Sequence, residues 1–146
     1  MEQNSKKERT RKWGKYATVL LIALLLIYAC VDTYLQNKNA ISLVCGENQL
    51  EITDPGGAAS AVPYRDIVNA ELVTEADFGA PVAGMETDRW LYGLWENDIW
   101  GIYTLCIGTD AQSCIAVYTE EDVYVIGYGS GEDTAVFYAE LCQKLS

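Results

Sequence analysis

Sixteen consecutive uncharged residues, Tyr16–Val31 ("YATVLLIALLLIYACV"), stand directly behind a group of basic side chains. A helix of that length is about 24 Å long at about 1.5 Å per residue, whereas a bilayer's hydrocarbon core is about 30 Å thick. Extending the run to Leu35 gives 20 residues and closes the difference, with Asp32 at the outer interface. Trp13, Tyr16, Tyr28 and Tyr34 fall where interfacial aromatics are expected. The basic residues are Lys6, Lys7, Arg9, Arg11, Lys12 and Lys15, and the 15 residues after Leu35 hold only Lys38. The positive-inside rule then places residues 1–15 in the cytoplasm as a basic tail. Residues 16–35 form an uncleaved signal anchor in the cell membrane, 36–40 a short linker, and 41–146 a domain outside the cell. "LIYAC" loosely resembles a lipoprotein box, so lipidation at Cys30 with a lipid-anchored surface protein is the alternative. Tyr28 fits that box poorly, and "VDTYLQNKN" is not a Gly/Ser-rich tether.

The charge of the remainder excludes several partners. From Asn39 onward three basic residues, Arg65, Arg89 and Lys144, face 18 acids, a net charge of −15. Such a domain repels nucleic acid and anionic lipid headgroups, which excludes phosphoinositide binding. The chain has no histidine, so Ser-His and Cys-His nucleophile pairs and His-containing zinc sites are not available. The five cysteines form no CxxC pair. No catalytic constellation, cofactor site or metal site is expected.

Past Ile41 the pattern turns to short alternating stretches. "NQLEIT" sets Leu50 and Ile52 opposite Gln49, Glu51 and Thr53, the period of a half-buried strand. "DPGG" (Asp54–Gly57) is a turn. "SAVPY" and "DIVNAELVT" read as strands, the second with Val68, Ala70 and Leu72 on one side. "EADFGAPVAGMETD" has no period and reads as a long loop. "GIYTLCIG", "SCIAVYT" and "DVYVIGY" read as a meander of consecutive hairpins. In "SGEDTAVFYAELCQKLS", Ser130 and Asp133 are candidate N-caps. Phe137, Tyr138, Leu141 and Leu145 then recur at helical spacing as one apolar stripe. The expected fold is mainly β, about seven strands, with one C-terminal helix and one N-terminal transmembrane helix.

This order resembles the pleckstrin-homology (PH)-like fold, two nearly orthogonal sheets closed by a C-terminal helix. "VPYRDIVNAEL", "DRWLYGLWENDIWGIYTL" and "VYVIGYGSGEDTAVFYAEL" are similar to segments of the bacterial PH-like domain found on small membrane-tethered proteins. The resemblance spans roughly Ile41 to Leu145. It implies a PH-like barrel and a binding or assembly role, with no catalytic residues. The basic phosphoinositide-binding loop of eukaryotic members has no counterpart here.

Three groups of residues are candidate sites. Trp90, Trp95 and Trp100 are spaced by five, with "END" at a hairpin bend. Trp90 and Trp100 are expected in the core, and Trp95 with Glu96 and Asp98 at an exposed partner contact. Cys106 and Cys114 flank one turn of the expected meander and are candidates for a disulfide. Cys45 and Cys142 read as core residues. "TEEDVY" and "SGEDT" lack the ligand spacing of a calcium loop and read as a solvated turn and a helix start. The leading expectation is therefore a non-enzymatic, single-pass membrane protein that binds another envelope protein. A surface-anchored hydrolase using a carboxylate pair is the rival. A cytoplasmic partner for the basic tail is a third possibility.

Overall fold

The computed structural model describes the backbone of residues 2–38 and 40–146 and the side chains of residues 13–35 and 40–146. The basic side chains before Trp13 and most of the linker therefore lie outside the described residues. The chain divides into two units, Met1–Gln36 and Asn37–Ser146.

Helix α1 (Glu2–Lys38) fills the first unit from Glu2 onward and continues two residues past Gln36. Its stretch Trp13–Leu35 covers 23 residues, about 34 Å at about 1.5 Å per residue. It is long and apolar enough to cross a membrane, and none of it is buried against protein. Leu20, Ile22, Leu25 and Ile27 are all exposed along it. The helix runs unbroken through Cys30.

Beyond α1, the described residues of the second unit form nine strands and one α-helix. Strands β1 (Ser42–Cys45), β2 (Gln49–Thr53) and β3 (Ala59–Pro63) form a small antiparallel sheet in that order. The β2–β3 turn is "DPGG": the Asp54 carboxylate accepts from Ala58 N–H at 3.0 Å, and Asp54 C=O accepts from Gly57 N–H. Strands β4 (Ile67–Thr74), β5 (Ala80–Glu86), β6 (Trp90–Asn97), β7 (Gly101–Gly108), β8 (Ser113–Thr119) and β9 (Val123–Ile126) form the larger sheet. Its order is β4-β8-β9-β7-β6-β5. Helix α2 (Gly131–Leu145) follows, with the Ser130 hydroxyl accepting from Asp133 N–H as N-cap. Phe137 and Leu141 are buried and Tyr138 and Leu145 half-buried, the stripe expected from sequence.

The strand order corrects the meander. β7 and β8 are not neighbours: β9 lies between them, parallel to β7 and antiparallel to β8. The segment read as a loop contains β5, an edge strand exposed along almost its whole length. Its small residues face solvent on both sides, so no alternation marked it. In β4 a register shift between Ile67 and Asn69 breaks the expected face, leaving Val68 exposed while Ala70 packs inward.

β4 and β5 are consecutive in the chain yet form opposite edges of the six-stranded sheet. Five interstrand steps of about 4.8 Å would separate the edges of a flat sheet by about 24 Å. The connection Glu75–Gly79, taken from Thr74 to Ala80, reaches about 20–22 Å even when fully extended. The sheet must therefore curl. The contents of its concave face agree. Leu91, Trp95, Trp100, Tyr103, Leu105 and Ile107 are buried there with Cys114, Ala116 and Val125, all from the sheet and its own connections. Among the described residues no other layer covers them; the sheet covers itself. The β4–β5 connection is pinned by Tyr103 O–H donating to Phe78 C=O (2.6 Å) and Asn97 Nδ2 donating to Asp77 C=O (2.8 Å).

The convex face carries the second core. Cys106, Ile115, Val117 and Ile126 alternate in sequence with the concave residues. They pack against Leu43, Leu50, Ile52 and Val62 of the small sheet and against Phe137 and Leu141 of α2.

Candidate partner-binding cleft

Exposed sheet edges invite another strand, and folded proteins usually guard them. In this domain β1 lies beside α2, and its Leu43 carbonyl accepts from Tyr128 O–H at 3.3 Å. β4 is flanked by α2, where Tyr138 O–H donates to Ala70 C=O at 3.2 Å. β5 carries Pro81, which has no N–H, and a register shift between Pro81 and Ala83.

β3 is guarded only at its last residue, Pro63, which has no N–H. It pairs with β2 on one side, and no strand or side chain bonds its other side among the described residues. Asp54 N–H donates to Ala58 C=O (2.9 Å), which sets the phase of the ladder. By alternation Ser60 and Val62 exchange hydrogen bonds with Ile52 and Leu50, and Ala59 and Ala61 aim their N–H and C=O outward. Neither alanine has a side chain large enough to block an approaching backbone.

Two cavities lie along β3. At its C-terminal end a cavity of about 490 Å³ is bounded by Ala61 and Pro63, by Asp66, and by Glu120, Glu121 and Asp122 of the β8–β9 turn. All four carboxylates are exposed, and the nearest cation, Arg65, already lies 3.5 Å from Asp66. At the other end a cavity of about 340 Å³ is bounded by Ala58 and Ser60 and by Met85, Tyr92, Leu94 and Thr104 of the large sheet. Beyond it the convex face continues through exposed Ile102, with Ile99 exposed at the β6–β7 turn. Leu94 and Ile102 are diagonal neighbours across the β6–β7 pair.

The residues singled out from sequence are placed differently. Trp95 is not at the surface: it is only 3% exposed, inside the curled sheet, with its indole donating to Tyr92 C=O at 3.1 Å. Trp95 pairs with Tyr103, so this face of the hairpin turns into the concave core. Glu96 and Asp98 are exposed, but the apolar contacts beside them belong to Leu94, Ile99 and Ile102. Strand parity is the signal that separates Leu94 from Trp95, once the bend is set at Asp98–Trp100. Trp100 is buried as expected, its indole donating to Tyr118 Oη at 3.0 Å. Trp90 is half-buried against the convex core, with Arg89 above its ring and its own Nε1 unbonded among the described residues.

Cys106 and Cys114 do not form the expected bridge; both thiols are free. With β9 between their strands they cannot face one another, and they sit in the convex and concave cores respectively. Burial pushes the Cys106 thiol up to about 12, with the charge of Asp54 adding to the effect. Burial likewise pushes Cys114 up to about 11, with Glu71 adding. Cys45 and Cys142 are half-buried. Among the described residues no three Cys, Asp or Glu side chains converge as metal ligands.

No protein-family model matches this chain, and no curated protein and no solved structure shows significant similarity to it.

Proposed function

We propose that this chain is a single-pass membrane protein that presents its β-rich domain outside the cell and binds another envelope protein there, without catalysis. The observation that carries the reading is the apolar convex surface of β5–β7, where Met85, Leu94 and Ile102 are substantially exposed, with Ile99 exposed at the adjoining turn. Side chains of this kind, contiguous across adjacent strands, mark interaction surfaces. Binding is favoured over hydrolysis because the acids lining the larger cavity are exposed. A glycosidase acid usually sits in an apolar pocket that desolvates it, whereas these four carboxylates are all open to solvent.

The PH-like resemblance belongs to this proposal. Two sheets and a C-terminal helix support it; the β9 insertion between β7 and β8 departs from an uninterrupted meander. The N-terminal basic residues support an outward-facing domain.

Photo-crosslinking from Leu94 and Ile102 in intact cells tests the binding reading. A reproducible adduct, lost when Ile102 is replaced by lysine, is expected; no adduct from either position would refute it. External protease should digest the domain in intact cells, and a protected domain would reverse the topology.

A further inference from the structure

We infer that the occupant of the cleft is an extended peptide segment of a partner protein, cationic at its N-terminal end and apolar after it, added to β3 as a fourth strand. The inference rests on the binding role proposed above and names the chemistry of the partner. Three observations converge on it.

The first is the open stretch Ala59–Ala61 of the β3 edge. Ala59 and Ala61 offer two N–H and two C=O groups, and Pro63 adds one C=O. A strand laid against them completes the ladder, and main-chain bonds supply affinity with little dependence on side chains. Five residues at about 3.3 Å each match a contact about 16 Å long.

The second is the difference between the two ends. The Pro63 end faces Asp66, Glu120, Glu121 and Asp122 with one cation, Arg65; the Ala59 end opens onto Met85, Tyr92 and Leu94 with one acid, Asp54. An antiparallel partner is the more stable pairing. It enters at Pro63 with its N-terminal residues and leaves over Leu94. That direction calls for Lys or Arg first and apolar residues, on alternate positions, afterwards.

The third is net charge, which decides between a partner and a second copy. Two domains of −15 repel one another over a Debye length of about 8–10 Å. A cationic segment is drawn in by the same field.

The test uses the full chain in nanodiscs of neutral lipid. The probe is a synthetic heptapeptide, Lys-Thr-Arg-Val-Thr-Val-Leu, with its reversed sequence as control. Expected are saturable binding that weakens with salt, slowed hydrogen exchange at the Ala59 and Ala61 amides, and at least fivefold weaker binding of the reversed peptide. Ala61→Pro removes an N–H that β2 does not use, and should reduce affinity at least tenfold. The double variant Glu120→Lys with Asp122→Lys, at exposed positions, should reduce it at least fivefold and flatten the salt dependence. Binding that survives Ala61→Pro without amide protection would overturn the inference. So would a concentration-dependent dimer abolished by Ala61→Pro, which would make the occupant a second copy. If crosslinking from Ile102 still captures a partner while Ala61→Pro changes nothing, the binding role stands and the strand-addition mode fails. If both are silent, both fail.

Discussion

The indole of Trp95 lies against the α-carbon of Gly84 on the neighbouring strand. A β-carbon at Gly84 would be 2.7 Å from Trp95 Cδ1. Gly84 pairs with Gly93, whose φ of +94° lies in the left-handed region that favours glycine. The two glycines together clear the inner surface of the curled sheet, and Trp95 fills the space. Gly84→Val should therefore cost about 2–4 kcal/mol through overpacking, and Trp95→Ala about 3–5 kcal/mol through the lost burial and the cavity. In the double variant the costs should be less than additive, because the second change relieves the clash of the first. Urea unfolding of the detergent-solubilised chain checks this. A Trp95→Ala cost below about 0.5 kcal/mol would instead fit a surface tryptophan.

Trp100 anchors a chain of hydrogen bonds at the mouth of the same sheet. Its indole donates to Tyr118 Oη at 3.0 Å, and Tyr118 O–H donates to the Glu71 carboxylate at 2.5 Å. The Trp100 ring also meets Tyr103 edge-on at 5.2 Å. Tyr118→Phe leaves the buried indole N–H without an acceptor and should cost about 1–3 kcal/mol. Glu71→Gln keeps an acceptor at the exposed end and should cost less. The unfolding midpoints of the two single variants, compared with Trp100→Phe, test that order.

Local signals were legible and non-local ones were not. The apolar run of α1, the alternation of Leu50 and Ile52, the Asp54 turn and the Ser130-capped stripe of α2 each depend on residues within a few positions of one another. The placement of β9 between β7 and β8 does not. Cys106 and Cys114 look adjacent in sequence because one short turn separates their strands, yet strand order is set by packing across the whole sheet. β5 was missed because Ala80, Pro81 and Ala83 sit on an exposed edge with no face to bury. At the candidate site, Glu96 and Asp98 were found at the surface, but Trp95 was exchanged for its neighbour Leu94. Parity shows that the two residues face oppositely; only the curl of the sheet decides which of the two faces is inside. The open edge of β3 could not be read at all, since "ASAVP" carries no mark of what stands beside it.

The buried thiols make stability fall at alkaline pH. Both folded-state pKa values are raised, from 9.0 to about 12 for Cys106 and to about 11 for Cys114. A raised pKa means that the fold favours the protonated thiol. The contribution is fully present below pH 9, where both states keep the proton, and it is lost as pH climbs toward 11 and 12. Across that window each thiol should weaken the fold by about 1.4 kcal/mol per pH unit. Replacing both with alanine should flatten the decline between pH 9 and pH 10, below the range where Tyr64 and Tyr103, also raised by burial, add their own share. Native-state alkylation gives a second readout: at pH 8, Cys106 and Cys114 should stay unmodified until denaturant is added. Rapid modification of either thiol in the native chain would contradict its burial.

Thr134 joins α2 to the end of β9 through a hydroxyl that is wholly buried. It donates to Ser130 C=O at 2.9 Å and accepts from Tyr128 N–H at 3.0 Å. Thr134→Val keeps the shape but deprives a backbone N–H and a carbonyl of that partner, which should cost about 1–3 kcal/mol. Thr134→Ser keeps the hydroxyl and loses one methyl, so it should cost about 1 kcal/mol. Ser130→Ala removes only the N-cap bond to Asp133 N–H and should also cost about 1 kcal/mol. The order Val above Ser at position 134, measured by thermal or urea unfolding, separates the hydrogen-bond role from simple packing. If valine were the milder change, the junction between β9 and α2 would be held by the side chain's volume rather than by its hydroxyl.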